Sequence, residues 1–411
     1  AFELSAPLSV IFNVVLDRGS FPPRWKRSVI TPIPKSYPVT CCSDLRPISI
    51  TPILARVFEG FLSQFLIRDL TPHLDPRQFG NIRGSSTTHY LVSLMDTILR
   101  GLDKPRKFAT LCTIDFSKAF DRVNHNVVIH KLIKYGIDEA ILSTVISFLS
   151  DRTQAVRIGP CISEELSLTC GVPQGTKLGP LIFLTLVNDA LMDFDQRWKY
   201  VDDLSILEVR STSGVSTLAD HLDKLTCWSK ENDMKFNVQK SKTMSIDFSK
   251  NRANPPSLHL NNQPMEDTNC LKLLGVLIQA NLKWDSHISD VVSRAGRRIF
   301  MICRLRKASV PMHDLVNIYS TFIRPLLEYA SPLWSTSITT NQINDIERIQ
   351  KRICRIILRD QYISYEHALE TLGISRMSER HEQLLLSFAK SLLASSRHRD
   401  FLPPPRSQIS S

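Results

Sequence analysis

The chain has 411 residues, 43% of them hydrophobic and 22% charged, the balance of a globular protein long enough for two or three lobes around a sizeable core. No apolar run reaches bilayer-spanning length, and the early stretch PLSVIFNVVL follows Glu3 without a basic n-region, which argues against a membrane-spanning or secreted protein. A net charge of +11 and a pI near 9.2 favour an anionic partner, nucleic acid above all.

The spacing of Leu4, Leu8, Ile11, Phe12 and Val15 predicts an opening helix, and the absence of a leading Met suggests a fragment of a longer polyprotein. Prolines cluster over 22–52, so loops and short strands are expected there. FATLCTIDF (108–116) reads as a buried strand, with Ser117 as cap of a short helix after it. NHNVVIHKLIKYG (124–136) predicts a helix stopped by Gly136, and DEAILSTVISFLS (138–150) one that starts on an Asp138 N-cap. QAVRIG and ELSLTC read as strands, GPLIFLTLVNDAL as a helix, and RWKYVDDLSILEV as a hairpin with its acidic pair at the tip.

Val215, Leu218, Leu222, Leu225 and Trp228 then share one helix face, followed by strands at KTMSIDF and LKLLGVLI. From about residue 285 the pattern turns helical and basic, with Arg294, Arg297, Arg298, Arg304, Arg306 and Lys307 in one segment. QINDIERIQKRICRIIL sets its isoleucines on one face and Arg348, Lys351, Arg352 and Arg355 elsewhere, and the tail FLPPPRSQISS is expected to be disordered. The nine cysteines form no CxxC pair or Cys/His cluster. They read as reduced, mostly buried thiols of an intracellular protein, which disfavours zinc.

KYVDD (199–203) places Asp202 and Asp203 side by side behind an aromatic and a β-branched residue. Adjacent carboxylates repel, so away from open water they need a cation or a hydrogen-bond network. A solvated surface turn is the plain alternative. A third acid, Asp115, ends the apolar strand. If that strand lies beside the hairpin, Asp115 and Asp202 converge and can share divalent cations, as two-metal phosphoryl transfer requires.

The motifs TIDFSKAFDRVNH (113–125), GVPQGTKLGPLIF (171–183) and KYVDDL (199–204) resemble the A, B and C motifs of reverse transcriptases, in the form found in non-LTR (LINE-type, jockey-like) retrotransposons. WKRSVITPIPK (25–35), DLRPISITPILARVFE (44–59) and QFGNIRGSSTTHYL (78–91) resemble finger motifs of that family. CWSKENDMKFNVQKSKTM (227–244) and LKLLGVLI (271–278) resemble its D and E motifs. An ordered series is far more specific than any one motif.

The resemblance implies an α+β right-hand polymerase fold. Fingers would span 1–108 with part of 130–170, a palm with an antiparallel sheet 109–284, and a helical thumb with its tail 285–411. It implies an RNA-directed DNA polymerase that uses two Mg²⁺ or Mn²⁺ ions, an RNA template, a DNA primer or target DNA, and dNTPs, with no membrane. Work in nucleus and cytoplasm as a ribonucleoprotein is implied too, and the oligomeric state stays open. Asp115 and Asp202 would be the main metal ligands, Asp203 a weaker third acid, and Phe116 a backbone ligand to metal or triphosphate.

Phe120 would be the aromatic gate that excludes a ribose 2′-hydroxyl, and Arg46 and Lys35 would grip the triphosphate. Gln174 would touch the incoming sugar or the template, and Gly175 would allow close backbone approach. Two departures stand out: Val201, where Ala is more usual, and Lys177 after the QGT turn. A viral-type RNA polymerase is disfavoured, since such enzymes tend to carry Gly-Asp-Asp and an acidic residue at the Phe120 position. A domesticated fragment that binds RNA without synthesis is the other alternative.

Overall fold

A computed structural model describes residues 2–35, 37–211, 214–249 and 257–402. The N-terminal part holds helices α1 (Phe2–Asp17), α2 (Pro23–Lys26) and α3 (Ile53–Leu70), with strands β1 (Arg27–Pro34) and β2 (Leu45–Ile50) between α2 and α3. Pro47 is tolerated because β2 is the outer strand, and Pro32 and Pro34 lie beyond the span Arg27–Ile30 where β1 pairs with the next strand. Helix α3 buries Ala55, Phe58, Leu62, Leu66 and Leu70, one stripe at three- and four-residue spacing.

Helix α4 (Thr87–Leu102) starts on Ser86, whose hydroxyl accepts from His89 N–H. Strand β3 (Lys107–Ile114) leads to α5 (His125–Lys134), which ends at Gly136 in the left-handed region (φ +67°). Helix α6 (Glu139–Leu149) is capped by Asp138, which accepts from Ala140 and Ile141 N–H. Strands β4 (Thr153–Ile158), β5 (Cys161–Ile162) and β6 (Leu166–Ser167) return to the first sheet, where β4 runs parallel to β1.

Helix α7 (Leu178–Val187) is buried around most of its surface. Strands β7 (Arg197–Tyr200) and β8 (Asp203–Ser211) form the acidic hairpin, and helix α8 (Leu218–Glu231) and β9 (Lys242–Ile246) follow. The central sheet runs β9–β3–β8–β7, antiparallel throughout, with the short strand Glu266–Asp267 added in parallel outside β9.

Both faces of that sheet are covered. Cys112, Ile114, Leu204 and Ile206 join one core with α1, α3 and α5 to α8, while Ala109, Leu111, Leu207, Met244 and Ile246 join another with α4 and the C-terminal helices. This is why FATLCTI is a near-continuous apolar run instead of an alternating one. C-terminal to the sheet come α9 (Asp285–Lys307) and helices including Thr340–Leu358, Tyr365–Leu372 and Met377–Ala394.

Several sequence expectations need correction. LKLLGVLI is a hairpin, Cys270–Leu273 with Val276–Gln279, because Leu274 (φ +46°) and Gly275 (φ +86°) turn the chain. Ser117 caps nothing; its N–H donates to the Lys235 carbonyl, and a 3₁₀ turn at Ala119–Arg122 begins after left-handed Lys118. Val215 lies outside α8 and is 90% exposed. Only Leu166–Ser167 of ELSLTC is strand. Five cysteines are exposed (Cys41, Cys42, Cys161, Cys170, Cys227) and only Cys112 and Cys354 buried, so thiol burial was overestimated. Phe401 packs in a 3₁₀ turn, while 403–411 of the expected disordered tail lies outside the described residues.

Candidate active site

The register of the central sheet brings the acids together. The β3–β8 ladder ends at Ile114 opposite Leu204, so one further step sets Asp115 opposite Asp203. Strands β7 and β8 close at the pair Tyr200–Asp203, leaving Val201 and Asp202 as a two-residue turn. Such turns take φ > 0 at their first residue to match the strand twist, usually on Gly or Asn. Here Val201 takes it (φ +57°), a strained state for a β-branched residue that costs about 1–3 kcal/mol.

The convergence sets the electrostatics of the three acids. Burial raises the Asp115 carboxyl above its ordinary range, Lys240 opposes this, Asp202 adds to it, and Lys35 opposes it again. Burial likewise raises Asp202, against its own backbone N–H and the charge of Arg46. Asp203 is pushed up to about 6 by burial, then by Asp202 and Asp115. Three desolvated, mutually repelling carboxylates favour incoming positive charge.

Among the described residues no three His, Cys, Asp or Glu side chains come close enough to hold a metal ion by themselves. That donor set still fits Mg²⁺, which binds through one or two carboxylates and completes its shell with water and substrate phosphates.

Residues 235–241, the part of the D-type motif that leads into β9, fix Asp115. Its N–H donates to Ser241 Oγ (3.1 Å), and its carbonyl accepts from Asn237 N–H (2.8 Å). With Ser117 N–H on the Lys235 carbonyl, these bonds make Phe116–Phe236 a wide antiparallel pair, whose geometry leaves the Phe116 carbonyl out of the ladder. The Phe116 ring is buried against Phe236, Phe183 and Trp228.

Two cations near the acids stand on β2 and just past the end of β1. Arg46 is exposed, opposite Ile33, and its charge reaches Asp202. Lys35 Nζ donates to the Ser43 carbonyl (2.8 Å), and its charge reaches Asp115. Phe120, half-buried, stacks on Phe183 with centroids 4.9 Å apart.

Residues 171–176 tie these parts together. Gly171 and Val172 N–H donate to the carbonyls of Val123 and Phe120 (both 2.8 Å), and Ser49 N–H donates to the Gln174 carbonyl (2.7 Å). Gly175 (φ +118°) passes so close that a Cβ would stand 2.9 Å from the Ser49 carbonyl oxygen, so the close approach is to β2. The Gln174 amide donates to Asp121 Oδ1 (3.1 Å), which gives Asp121 a role as an orienting partner. Lys177 lies over Gly60 of α3.

Residues 33–278 match the family model described as reverse transcriptase (RNA-dependent DNA polymerase), well over half the chain. The chain belongs to the reverse transcriptase family. It is 25% identical over 423 residues to the probable RNA-directed DNA polymerase from transposon X-element of Drosophila melanogaster, covering 98% of this chain and 44% of that protein. It is 26% identical over 404 residues to the RNA-directed DNA polymerase from mobile element jockey of the same species, covering 94% and 43%. The chain thus spans less than half the length of these relatives. The structure of apo telomerase from Candida tropicalis shares the fold, with a TM-score of 0.50 at 14% identity over 97% of this chain and 73% of that one. The fold is a right-hand polymerase fold.

In this member of the reverse transcriptase family some of the site's support is not evident from the sequence. Lys240 is the strongest cationic influence on Asp115, yet only its motif was noted. Under the hairpin, Asp75 accepts two bonds from Arg197 (both 2.8 Å) and pairs with Lys199 Nζ (2.7 Å), all three side chains buried. Burial works to raise Asp75, but these bonds outweigh it and hold the carboxyl below its ordinary range. Burial brings Lys199 down to about 8 against the pull of Asp75. Nothing in the local pattern around Asp75 signals a partner more than a hundred residues away.

Proposed function

We propose that this chain is the RNA-directed DNA polymerase portion of a non-LTR retrotransposon protein, adding dNTPs to a primer 3′-hydroxyl opposite an RNA template. The observation that carries the reading is the cluster Asp115, Asp202 and Asp203, desolvated at adjoining strand ends and faced by Arg46, Lys35 and Lys240. Asp115 and Asp202, helped by Asp203 and the Phe116 carbonyl, would hold two Mg²⁺ ions, or Mn²⁺ in their place. Bound there, the ions supply acidity to the 3′-hydroxyl and neutralise the leaving pyrophosphate.

The protein's own groups do the rest. Arg46 and Lys35 balance charge on the triphosphate oxygens, and the charge of Lys240 offsets that of Asp115. The Phe120 ring, braced by Phe183, forms the floor under the sugar and leaves no room for a 2′-hydroxyl. Gln174, oriented by Asp121, borders the sugar or template, and Gly175 seats that loop on β2.

In this reading residues 1–108 with part of 130–170 are fingers, 109–284 the palm and 285–411 the thumb with its tail. The basic charge suits RNA and DNA partners, and likeness to mobile-element polymerases supports work in nucleus and cytoplasm as a ribonucleoprotein. No described helix is long and apolar enough to cross a membrane.

The test is primer extension on poly(rA)/oligo(dT) with dTTP and Mg²⁺, beside Asp202→Asn. Extension is expected from the native chain and a loss of at least about a thousandfold from the variant, with duplex binding retained. If both chains bind the duplex and neither extends it, the RNA-binding fragment is the correct reading.

A further inference from the structure

The acidic turn is held from outside its own hairpin. Residues 77–80 run beside β7: Phe79 N–H donates to the Lys199 carbonyl (2.8 Å), and Lys199 N–H donates to the Arg77 carbonyl (2.9 Å). From this stretch the fully buried Gln78 side chain reaches the tip. Its Oε1 accepts from Val201 N–H (3.2 Å) and from Gly80 N–H (2.8 Å). Both partners are donors, so the amide oxygen faces them. Gly80 permits the approach, since a Cβ there would stand 2.6 Å from both Val201 N and Val201 Cγ2.

The same stretch is gripped from the far end of the chain. Arg397 Nη2 lies 2.8 Å from the Asp75 carbonyl, 3.0 Å from that of Pro76 and 2.6 Å from that of Gln78. His398 is buried and stacks on the Phe79 ring, with centroids 5.7 Å and planes 8° apart. Phe401 packs on that ring at 6.4 Å. Residues 395–402 therefore strap one side of the 75–80 stretch, while its other side carries the turn.

Val201 has no intrinsic preference for φ +57°. Without its anchor on Gln78, its backbone relaxes toward the extended region, which reorients the Val201–Asp202 peptide and displaces the Asp202 carboxylate. We propose that Gln78 and Arg397 are positioning residues for Asp202: Gln78 pins the strained turn directly, and Arg397 holds Gln78's backbone in place. The inference rests on the polymerase reading for activity, but its metal-binding consequence stands apart from catalysis.

The experiment compares the native chain with Gln78→Met, Arg397→Met, the double variant and Asp202→Asn. It reads Mn²⁺ binding by electron paramagnetic resonance, primer extension, duplex affinity and melting temperature. Asp202→Asn should abolish the Mn²⁺ site. Gln78→Met should weaken Mn²⁺ binding at least fivefold and lower kcat at least tenfold, with duplex affinity unchanged and melting within a few degrees of native. Arg397→Met should shift both in the same direction by less, Arg397→Lys should recover part of the loss, and the double variant should match Gln78→Met alone because both act through one turn.

Native-like Mn²⁺ binding and kcat in both single variants overturn the proposal, and so does a native chain with no Asp202-dependent Mn²⁺ site. Multiplying effects in the double variant overturn the role given to Arg397. If Gln78→Met fails to fold, Gln78→Asn, which keeps the amide one methylene short of Val201, decides on the same terms. A native chain that binds Mn²⁺ but extends no primer sinks the polymerase reading while the metal-binding arm still decides this one.

Discussion

Asp203 carries a charge that burial and its two acidic neighbours disfavour. Its carboxyl ionises at about 6 in the folded chain and at about 3.8 when unfolded, so the folded state binds the proton more tightly. Below about 3.8 both states are protonated and the residue is neutral to stability. As pH rises through about 6, the folded chain acquires a charge it disfavours, and the destabilisation is then complete. Metal-free Asp203→Asn should therefore be about 1–3 kcal/mol more stable than the native chain at pH 8, and this advantage should vanish by pH 4. Urea melts in EDTA at the two pH values measure it; an equal difference at both would show that the environment assigned to Asp203 is wrong. Added Mg²⁺ should narrow the gap at pH 8, because it binds the native carboxylates better than the variant's. At this scale the acids were legible because their motif names them. Val201's left-handed backbone was not, since a β-branched residue gives no hint of φ > 0.

Helix α7 shows the same device at the scale of an element. Its N-terminal amides have no partner inside the helix, and α3 supplies one: Glu59 Oε2 accepts from the N–H groups of Lys177 (2.7 Å) and Leu178 (3.4 Å). Burial raises the Glu59 carboxyl, while these two amides, Arg152 and Lys177 pull it back. Glu59→Ala strands two amide donors and removes the charge that faces the buried Arg152 guanidinium. A loss of about 2–4 kcal/mol is expected, against about 1 kcal/mol for Glu59→Gln, whose amide oxygen still accepts. Chemical denaturation separates them, and equal losses would mean that the carboxylate's charge matters and its bonds to the two amides do not. Elements with a local signal were readable: β3 from its unbroken apolar run, α5 and α6 from Gly136 and Asp138. LKLLGVLI misled because its turn sits inside an apolar run, at Leu274 and Gly275. The Glu59 cap left no local trace, since its partners lie 118 and 119 residues away.

Across the whole molecule, one sheet serves two cores, and the surface charge must be sorted before it is given to nucleic acid. Much of the basic C-terminal region is committed within the chain. Arg294 pairs with Asp290 and Arg348 with Asp345, while Lys351 and Arg355 lie over the rings of Tyr365 and Tyr362. The net charge of +11 therefore overstates what faces phosphates there, and exposed Arg297 and Arg352 are better candidates than their neighbours. Each phosphate contact releases counterions, so duplex affinity should fall with salt along a log–log slope of roughly −4 to −7, as for about five to eight contacts. Replacing Arg297 or Arg352 by Gln should flatten that slope by about 1 and weaken binding to all sequences alike. Arg294→Gln and Arg348→Gln should leave it unchanged, because those cations already neutralise carboxylates. Fluorescence anisotropy of an RNA/DNA duplex from 50 to 300 mM salt, on the order of the range where counterion release dominates, gives the slopes. If all four variants flatten the slope equally, the ion pairs open on binding and the basic face acts as one undivided field.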